Sequence, residues 1–91
     1  MTVEKNVILR EIAGEYILIP TGSMALKFTG VFAISESGVA IWKLLNEGKS
    51  EEEIVSLLLE EYEVEKEGLT ADVKEFLQSL REKGLLFEDE N

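Results

Sequence analysis

The sequence predicts an α+β domain of winged helix-turn-helix type, in which a three-stranded antiparallel sheet is followed by three α-helices. Residues 7–34 contain short runs of β-branched and aromatic residues separated by glycine and proline, which is typical of strands. From residue 36 onward, apolar residues recur at helical spacing. Consecutive strands with short connections usually pair, so a meander is expected. The length of 91 residues predicts a single domain that spans residues 1–91.

The first two strands form a predicted hairpin, and the third follows a less regular stretch. "VILREI" at 7–12 and "EYILIP" at 15–20 flank Ala13-Gly14, where glycine can adopt the positive φ of a tight turn. Pro20 should close the second strand because it lacks an N–H group. "TGSMALKFTG" predicts a loop with at most a short strand at 25–28. "GVFAI" at 30–34 is the third predicted strand.

The helices are predicted at residues 36–46, 51–62 and 71–83. Ser35 is the expected N-cap of the first helix, and Gly48 follows its end in the left-handed position. Ser50 and Glu53 have the spacing of a capping box for the second helix, and Thr70 is the expected cap of the third. The second helix has the predicted buried stripe Ile54, Leu57, Leu58 and Tyr62. One common core is predicted to contain Trp42, Leu45, Leu58, Phe76 and Leu80.

The composition argues against several classes of function. The chain contains neither cysteine nor histidine, so the commonest general base, zinc ligand and nucleophile pairs are missing. We therefore expect no catalytic residues, no metal and no cofactor. The net charge is −10, and residues 49–91 carry −9 of it. Without a basic surface, binding to nucleic acid or to an anionic membrane is not expected. No signal peptide or apolar run of membrane-spanning length is visible, which favours a cytoplasmic location.

The third predicted strand is unusual because it lies at an edge of the sheet and carries no charge. Natural edge strands are usually protected by lysine, proline or bulges. Either a loop, the segment 25–28 or a helix covers "GVFAI", or this edge is open to accept a strand from another chain. On a period of two, Phe32 and Ile34 should face the core, whereas Val31 and Ala33 face the other side.

Gly38 lies in the first turn of the predicted helix that follows, where glycine costs up to about 1 kcal/mol relative to alanine. The favoured interpretation is that the helix backbone packs closely against the sheet. Binding of an anion at the start of the helix is the alternative.

Several segments, taken in order, resemble the PqqD family (pyrroloquinoline-quinone biosynthesis protein D). They are "GVFAISESGVAIWKLL", "GKSEEEI", the leucine-rich helix that ends in "EEY", and "ADVKEFLQSLREKGLL", preceded by "YILIP". Two departures are Ser35, where the family commonly has asparagine, and the long connection "TGSMALKFTG". The resemblance covers nearly the whole chain.

This resemblance implies a peptide-binding domain, also called a RiPP recognition element, that acts on ribosomally made and then modified peptides. Such a domain binds the leader segment of a precursor peptide and presents the peptide to a modifying enzyme, often a radical S-adenosylmethionine protein. In the family the leader adds a strand to the third strand and lies against the third helix. The implied peptide-binding residues are Gly30, Val31, Phe32, Ala33, Ile34, Asp72, Glu75, Phe76, Ser79 and Lys83.

Two other functions remain open. The order of strands and helices also suits a winged-helix transcription regulator, with the third helix as the recognition helix. In that helix, however, Lys74, Arg81 and Lys83 alternate with acidic residues, so binding to DNA would be weak. The other alternative is an acidic adaptor subunit that regulates an enzyme without contacting a leader peptide.

Overall fold

A computed structural model describes residues 1–27 and 30–88 of the chain. The predicted α+β class is confirmed: three consecutive antiparallel strands form a sheet in their sequence order, and three long helices follow. Within the described residues, the elements in chain order are β1 (Thr2–Val3), β2 (Val7–Ile12), β3 (Glu15–Pro20), α1 (Gly22–Ala25), β4 (Phe32–Ile34), α2 (Glu36–Asn46), α3 (Glu51–Glu61), α4 (Lys66–Glu82) and β5 (Leu86–Phe87).

The hairpin of β2 and β3 has the geometry that its turn residues predict. Ala13 and Gly14 both have positive φ, 54° and 82°. Two-residue hairpin loops favour this backbone because its twist matches that of the flanking strands. The hairpin pairs Ile12 with Glu15 at the turn and Val7 with Pro20 at the open end, so Pro20 is the last residue of its strand.

The third strand is shorter than predicted, because β4 begins at Phe32 and excludes Gly30 and Val31. Phe32 pairs with Leu18 of β3. Continuing that register would bring Gly30 opposite Pro20, which has no N–H group to donate to the ladder. The proline that ends β3 therefore also limits β4.

Three short elements were not predicted from the sequence. Part of the predicted loop forms α1, in which Met24 is buried, and no strand lies at 25–27, whereas residue 28 is outside the described residues. At the other end of the molecule β1 and β5 pair antiparallel, with Val3 opposite Leu86. The Glu4 N–H donates to the Leu85 carbonyl at 2.9 Å and extends this pairing. The sequence segment Leu85–Phe87 thus packs back onto the core, while residues 89–91 are outside the described range.

The caps of the first two long helices are those that the sequence predicts. Ser35 Oγ accepts a hydrogen bond from the Gly38 N–H at 3.2 Å. At the start of α3, the Glu53 N–H donates to Ser50 Oγ and the Ser50 N–H donates to Glu53 Oε1, which completes the capping box. Gly48 has a φ of 86° beyond the end of α2.

The predicted start of the last long helix is wrong, since α4 begins at Lys66 instead of residue 71. Thr70 is not its cap. The Thr70 hydroxyl donates to the Lys66 carbonyl inside the helix at 2.7 Å. Glu67 lies in the first turn, where a carboxylate is stabilised by the positive end of the helix dipole.

The core lies between the inner face of the sheet and the three long helices. Trp42, Leu45, Leu58 and Leu80 are buried there as predicted, and Phe76 packs against them while half-buried. Tyr62 is an exception to the predicted stripe, because 45% of its surface is exposed. Over the described ranges, no helix is both long and apolar enough to cross a membrane.

Candidate functional site

Strand β4 forms an edge of the three-stranded sheet and, among the residues that the structure describes, pairs only with β3. Phe32 and Ile34 are half-buried and pack against the core, whereas Ala33 is exposed. This alternation confirms the predicted orientation of the strand. Backbone groups along an edge strand point alternately toward and away from the neighbouring strand. The outer side of β4 therefore offers backbone donors and acceptors to an incoming chain.

Helix α4 runs beside this edge and forms the second wall of a cavity of about 180 Å³, which we call the strand groove. Lys83 is part of its lining: its Nζ donates to Ser79 Oγ at 2.8 Å and lies 5.8 Å from the centroid of the Phe32 ring. The strand groove is lined by Leu18, Phe32, Ala33, Ile34, Ser35, Phe76, Ser79, Leu80 and Lys83.

Gly38 explains how the strand, α2 and α4 come so close together. A Cβ atom added to Gly38 would lie 2.9 Å from Cε1 of Phe76 and 3.4 Å from Cβ of Ile34. Only glycine leaves this space free without moving the Phe76 ring. This supports the interpretation of Gly38 as a close-packing residue and places the Phe76 ring directly against Gly38, in the wall of the strand groove.

A larger cavity, the helical cavity, continues from the strand groove between α2, α3 and α4 and has a volume of about 460 Å³. The two cavities share Ser35, Phe76 and Ser79. Most of the remaining lining is apolar, while Asp72 and Glu75 are exposed acidic residues at its rim. The other residues that line it are Ser37, Gly38, Ile41, Leu58, Tyr62, Val64 and Leu69.

The two cavities contain eight of the ten predicted site residues: Phe32, Ala33, Ile34, Asp72, Glu75, Phe76, Ser79 and Lys83. Gly30 and Val31 line neither cavity. Both are exposed and precede β4. A role for these residues in peptide binding stays a prediction.

Sequence reasoning missed the apolar wall that Tyr62, Val64 and Leu69 contribute to the helical cavity. A signal was present, because Tyr62 and Val64 are apolar residues within an acidic connection, and both are about half exposed in the structure (45% and 52%). Isolated exposed apolar residues are common, so Tyr62 and Val64 indicate a binding surface only because both line the same cavity.

No metal site competes with this interpretation among the residues that the structure describes, because no three acidic, cysteine or histidine side chains are grouped to hold an ion. The cavities instead combine an open strand edge, an apolar lining and a few polar side chains. This arrangement suits an extended peptide, whose backbone can pair with the strand while its side chains enter the cavities.

The chain is similar to a known protein family and to two solved structures. Residues 7–86 match the family model described as coenzyme PQQ synthesis protein D (PqqD). A solved structure of TbiB1 in complex with the TbiA(beta) leader peptide has a TM-score of 0.78 and 31% sequence identity, and the alignment covers 100% of both chains. A lasso peptide synthetase B1 complexed with the leader peptide has a TM-score of 0.75 and 20% identity, covering 94% of this chain and 95% of the other. The search of curated proteins gave no match.

Proposed function

The chain belongs to the PqqD family, and from this premise we propose that it is a non-catalytic recognition element that binds the leader segment of a ribosomally made precursor peptide. The similar structure with 31% identity is a leader-peptide complex. The observation that carries the proposal is the open edge of β4 beside an apolar groove whose other wall is α4.

Strand addition to β4 is the binding mode that this geometry favours. An extended peptide that pairs antiparallel with Phe32–Ile34 would use backbone hydrogen bonds for affinity and alternate side chains for specificity. Ala33 presents only a methyl group on the outer face, so it leaves room for the approaching strand. The side chains of Phe32 and Ile34 face the core and are held by packing.

The helical cavity provides the second part of the proposed site. A peptide that leaves the strand groove past Phe76 and Ser79 would reach the apolar wall of this cavity. Asp72 and Glu75 form no ion pair with any lysine or arginine among the described residues. We therefore expect the leader to place an apolar side chain in the cavity and a lysine or arginine next to its rim.

The bound peptide would be presented to an enzyme that modifies it. A radical S-adenosylmethionine protein is the partner that we propose, because the family resemblance implies this class. The protein itself needs no catalytic group for this role, which agrees with the lack of histidine and cysteine in its sequence.

The test is titration of the fluorescently labelled leader segment of a candidate precursor peptide against the wild type and Ala33→Pro. Proline removes a backbone donor and obstructs the approaching strand. The Thr21 N–H donates to the Asn6 carbonyl, and with the register of β2, β3 and β4 the alternation of backbone groups points the Ala33 N–H away from β3. Affinity should therefore fall about tenfold or more. Val31→Ala is the side-chain control and should bind as the wild type does, because Val31 lies outside both cavities.

Phe32→Pro is a contrasting variant, because the register points the N–H groups of Phe32 and Ile34 toward β3, so it should weaken the sheet itself. Circular dichroism confirms that each variant is folded. The proposed strand addition is refuted if Ala33→Pro is folded and binds the leader as tightly as the wild type.

A further inference from the structure

A third groove lies on a different side of the helical half, between α2 and α3, and has a volume of about 460 Å³. We call it the outer groove. Its floor is apolar: Ala40, Leu44 and Leu57 are half-buried there. Of the residues that line the helical cavity, the outer groove shares only Leu58 and Tyr62. Its full lining is Glu36, Val39, Ala40, Lys43, Leu44, Glu47, Leu57, Leu58, Glu60, Glu61 and Tyr62.

The rim of the outer groove is strongly acidic. Four exposed glutamates surround the floor, and Lys43 is the single basic residue in the lining. In the part of the chain that the structure describes, none of these glutamates forms an ion pair. Their charge is therefore available to a positively charged partner.

The end of α3 shows that this charge does not serve the stability of the helix. Glu60 and Glu61 lie in its last turn, where no basic residue is present. The C-terminal end of a helix carries partial negative charge and is stabilised by cations. Two carboxylates at this end are locally unfavourable, and such conflicts between sequence and local structure are expected at functional surfaces.

We propose that the outer groove docks a basic amphipathic helix of a partner protein, at a surface separate from the proposed leader site. The walls of the groove are helices whose internal backbone groups are already hydrogen-bonded, so it offers no edge for strand addition. A helix satisfies its own backbone and can place leucine-like side chains on the floor while lysine or arginine residues contact the rim. A second copy of this chain is the wrong occupant, because each copy carries a net charge of −10.

The probe for this site is a synthetic amphipathic helix made of leucine and lysine, compared with a helix in which glutamate replaces every lysine. The binding site is mapped by amide NMR shifts of the labelled protein, with the leader peptide bound. We expect the lysine peptide to shift the resonances of Ala40, Lys43, Leu44 and Leu57, and the glutamate peptide to shift none of them.

Charge reversal tests the rim directly. The double variant Glu60→Lys/Glu61→Lys should bind the lysine peptide about tenfold more weakly. Lysine at the end of α3 is compatible with the helix dipole, so the variant should fold. Glu11→Lys/Glu82→Lys changes the net charge equally but alters exposed residues outside all three grooves, and it should bind the probe nearly as the wild type does.

Equal loss of probe affinity in the two double variants would overturn the proposal, because the attraction would then be non-specific. Shifts confined to the strand groove or the helical cavity would also overturn it. The leader affinity of Glu60→Lys/Glu61→Lys separates the two proposals: it should be unchanged, and a matching loss would assign the outer groove to the leader site.

Discussion

Replacement of Gly38 by alanine tests the packing on which the proposed peptide site depends. The added Cβ atom would lie 2.9 Å from Cε1 and 3.3 Å from Cζ of Phe76, and 3.4 Å from Cβ of Ile34. At 2.9 Å the added Cβ atom would clash with Cε1 of Phe76, so one of the two groups must move. Since the backbone of Ile34 is held in β4, the Phe76 ring is the group that must shift.

Two opposing terms set the size of the effect on stability. Alanine is a better helix former than glycine by up to about 1 kcal/mol, whereas overpacking costs about 1–3 kcal/mol. The free energy of unfolding of Gly38→Ala should therefore fall by roughly 0–2 kcal/mol. Gly68→Ala is a matched control, because Gly68 is also the third residue of its helix and its Cβ would have no neighbour within 4 Å. This control should gain up to about 1 kcal/mol.

Urea unfolding, followed by the fluorescence of the single tryptophan, Trp42, measures both variants. Leader titration provides the second readout, because Phe76 lines both the strand groove and the helical cavity. We expect Gly38→Ala to weaken binding and Gly68→Ala to leave it unchanged. In Gly38→Ala/Phe76→Leu, the smaller side chain should remove the overpacking, which a double-mutant cycle detects as coupling. Equal stabilisation by both alanine variants, with unchanged binding, would refute the reasoning.

Three further predictions concern the core, the α3 cap and the choice of partner. Leu58→Ala should lower the free energy of unfolding by about 2–5 kcal/mol in urea unfolding, because only 3% of Leu58 is exposed; a smaller loss would show that the site collapses. The hydrogen bonds from the Ser50 backbone and side chain lower the pKa of Glu53 below its ordinary 4.5. This cap should therefore stabilise α3 above that pH and weaken as the pH falls below it. Glu53→Gln should remove that component of the pH dependence of unfolding. No binding to duplex DNA is expected at physiological salt in an electrophoretic mobility assay, and salt-sensitive submicromolar binding would favour the transcription-regulator alternative.

Local chemistry made much of the fold predictable. The helix caps at Ser35 and Ser50 and the turn at Ala13-Gly14 depend on residues close in sequence, so their patterns are visible in the chain itself. The length of β4 could not be predicted from neighbouring residues in the sequence. It depends on Pro20, which lies on the neighbouring strand and comes opposite Gly30 only once the register of the sheet is known. Strands of two residues, such as β1 and β5, show no periodicity at all.

The candidate site was predictable where it follows the alternation of a strand or the face of a helix, as for Ala33 and Phe76. At Tyr62 the helical spacing no longer predicts the position of the side chain. Its spacing matches the buried stripe of α3, but the helix ends at Glu61, and Tyr62 has an extended backbone with φ −117° and ψ 139°. The helical period no longer applies after that change, so the ring lies at the wall shared by the helical cavity and the outer groove.

The short edge also determines how a bound leader would gain its affinity. Of the three residues in β4, only Ala33 points its N–H and C=O groups outward, so an added strand can form only about two backbone hydrogen bonds with β4, each worth about 1 kcal/mol net. Loss of translational and rotational freedom alone costs at least about 4 kcal/mol, so backbone pairing cannot produce tight binding. One apolar side chain buried in the helical cavity would contribute about 1.5–3 kcal/mol. We therefore propose that the strand sets the register and direction of the peptide, and that a side chain reaching Leu69 and Phe76 determines whether the peptide stays bound.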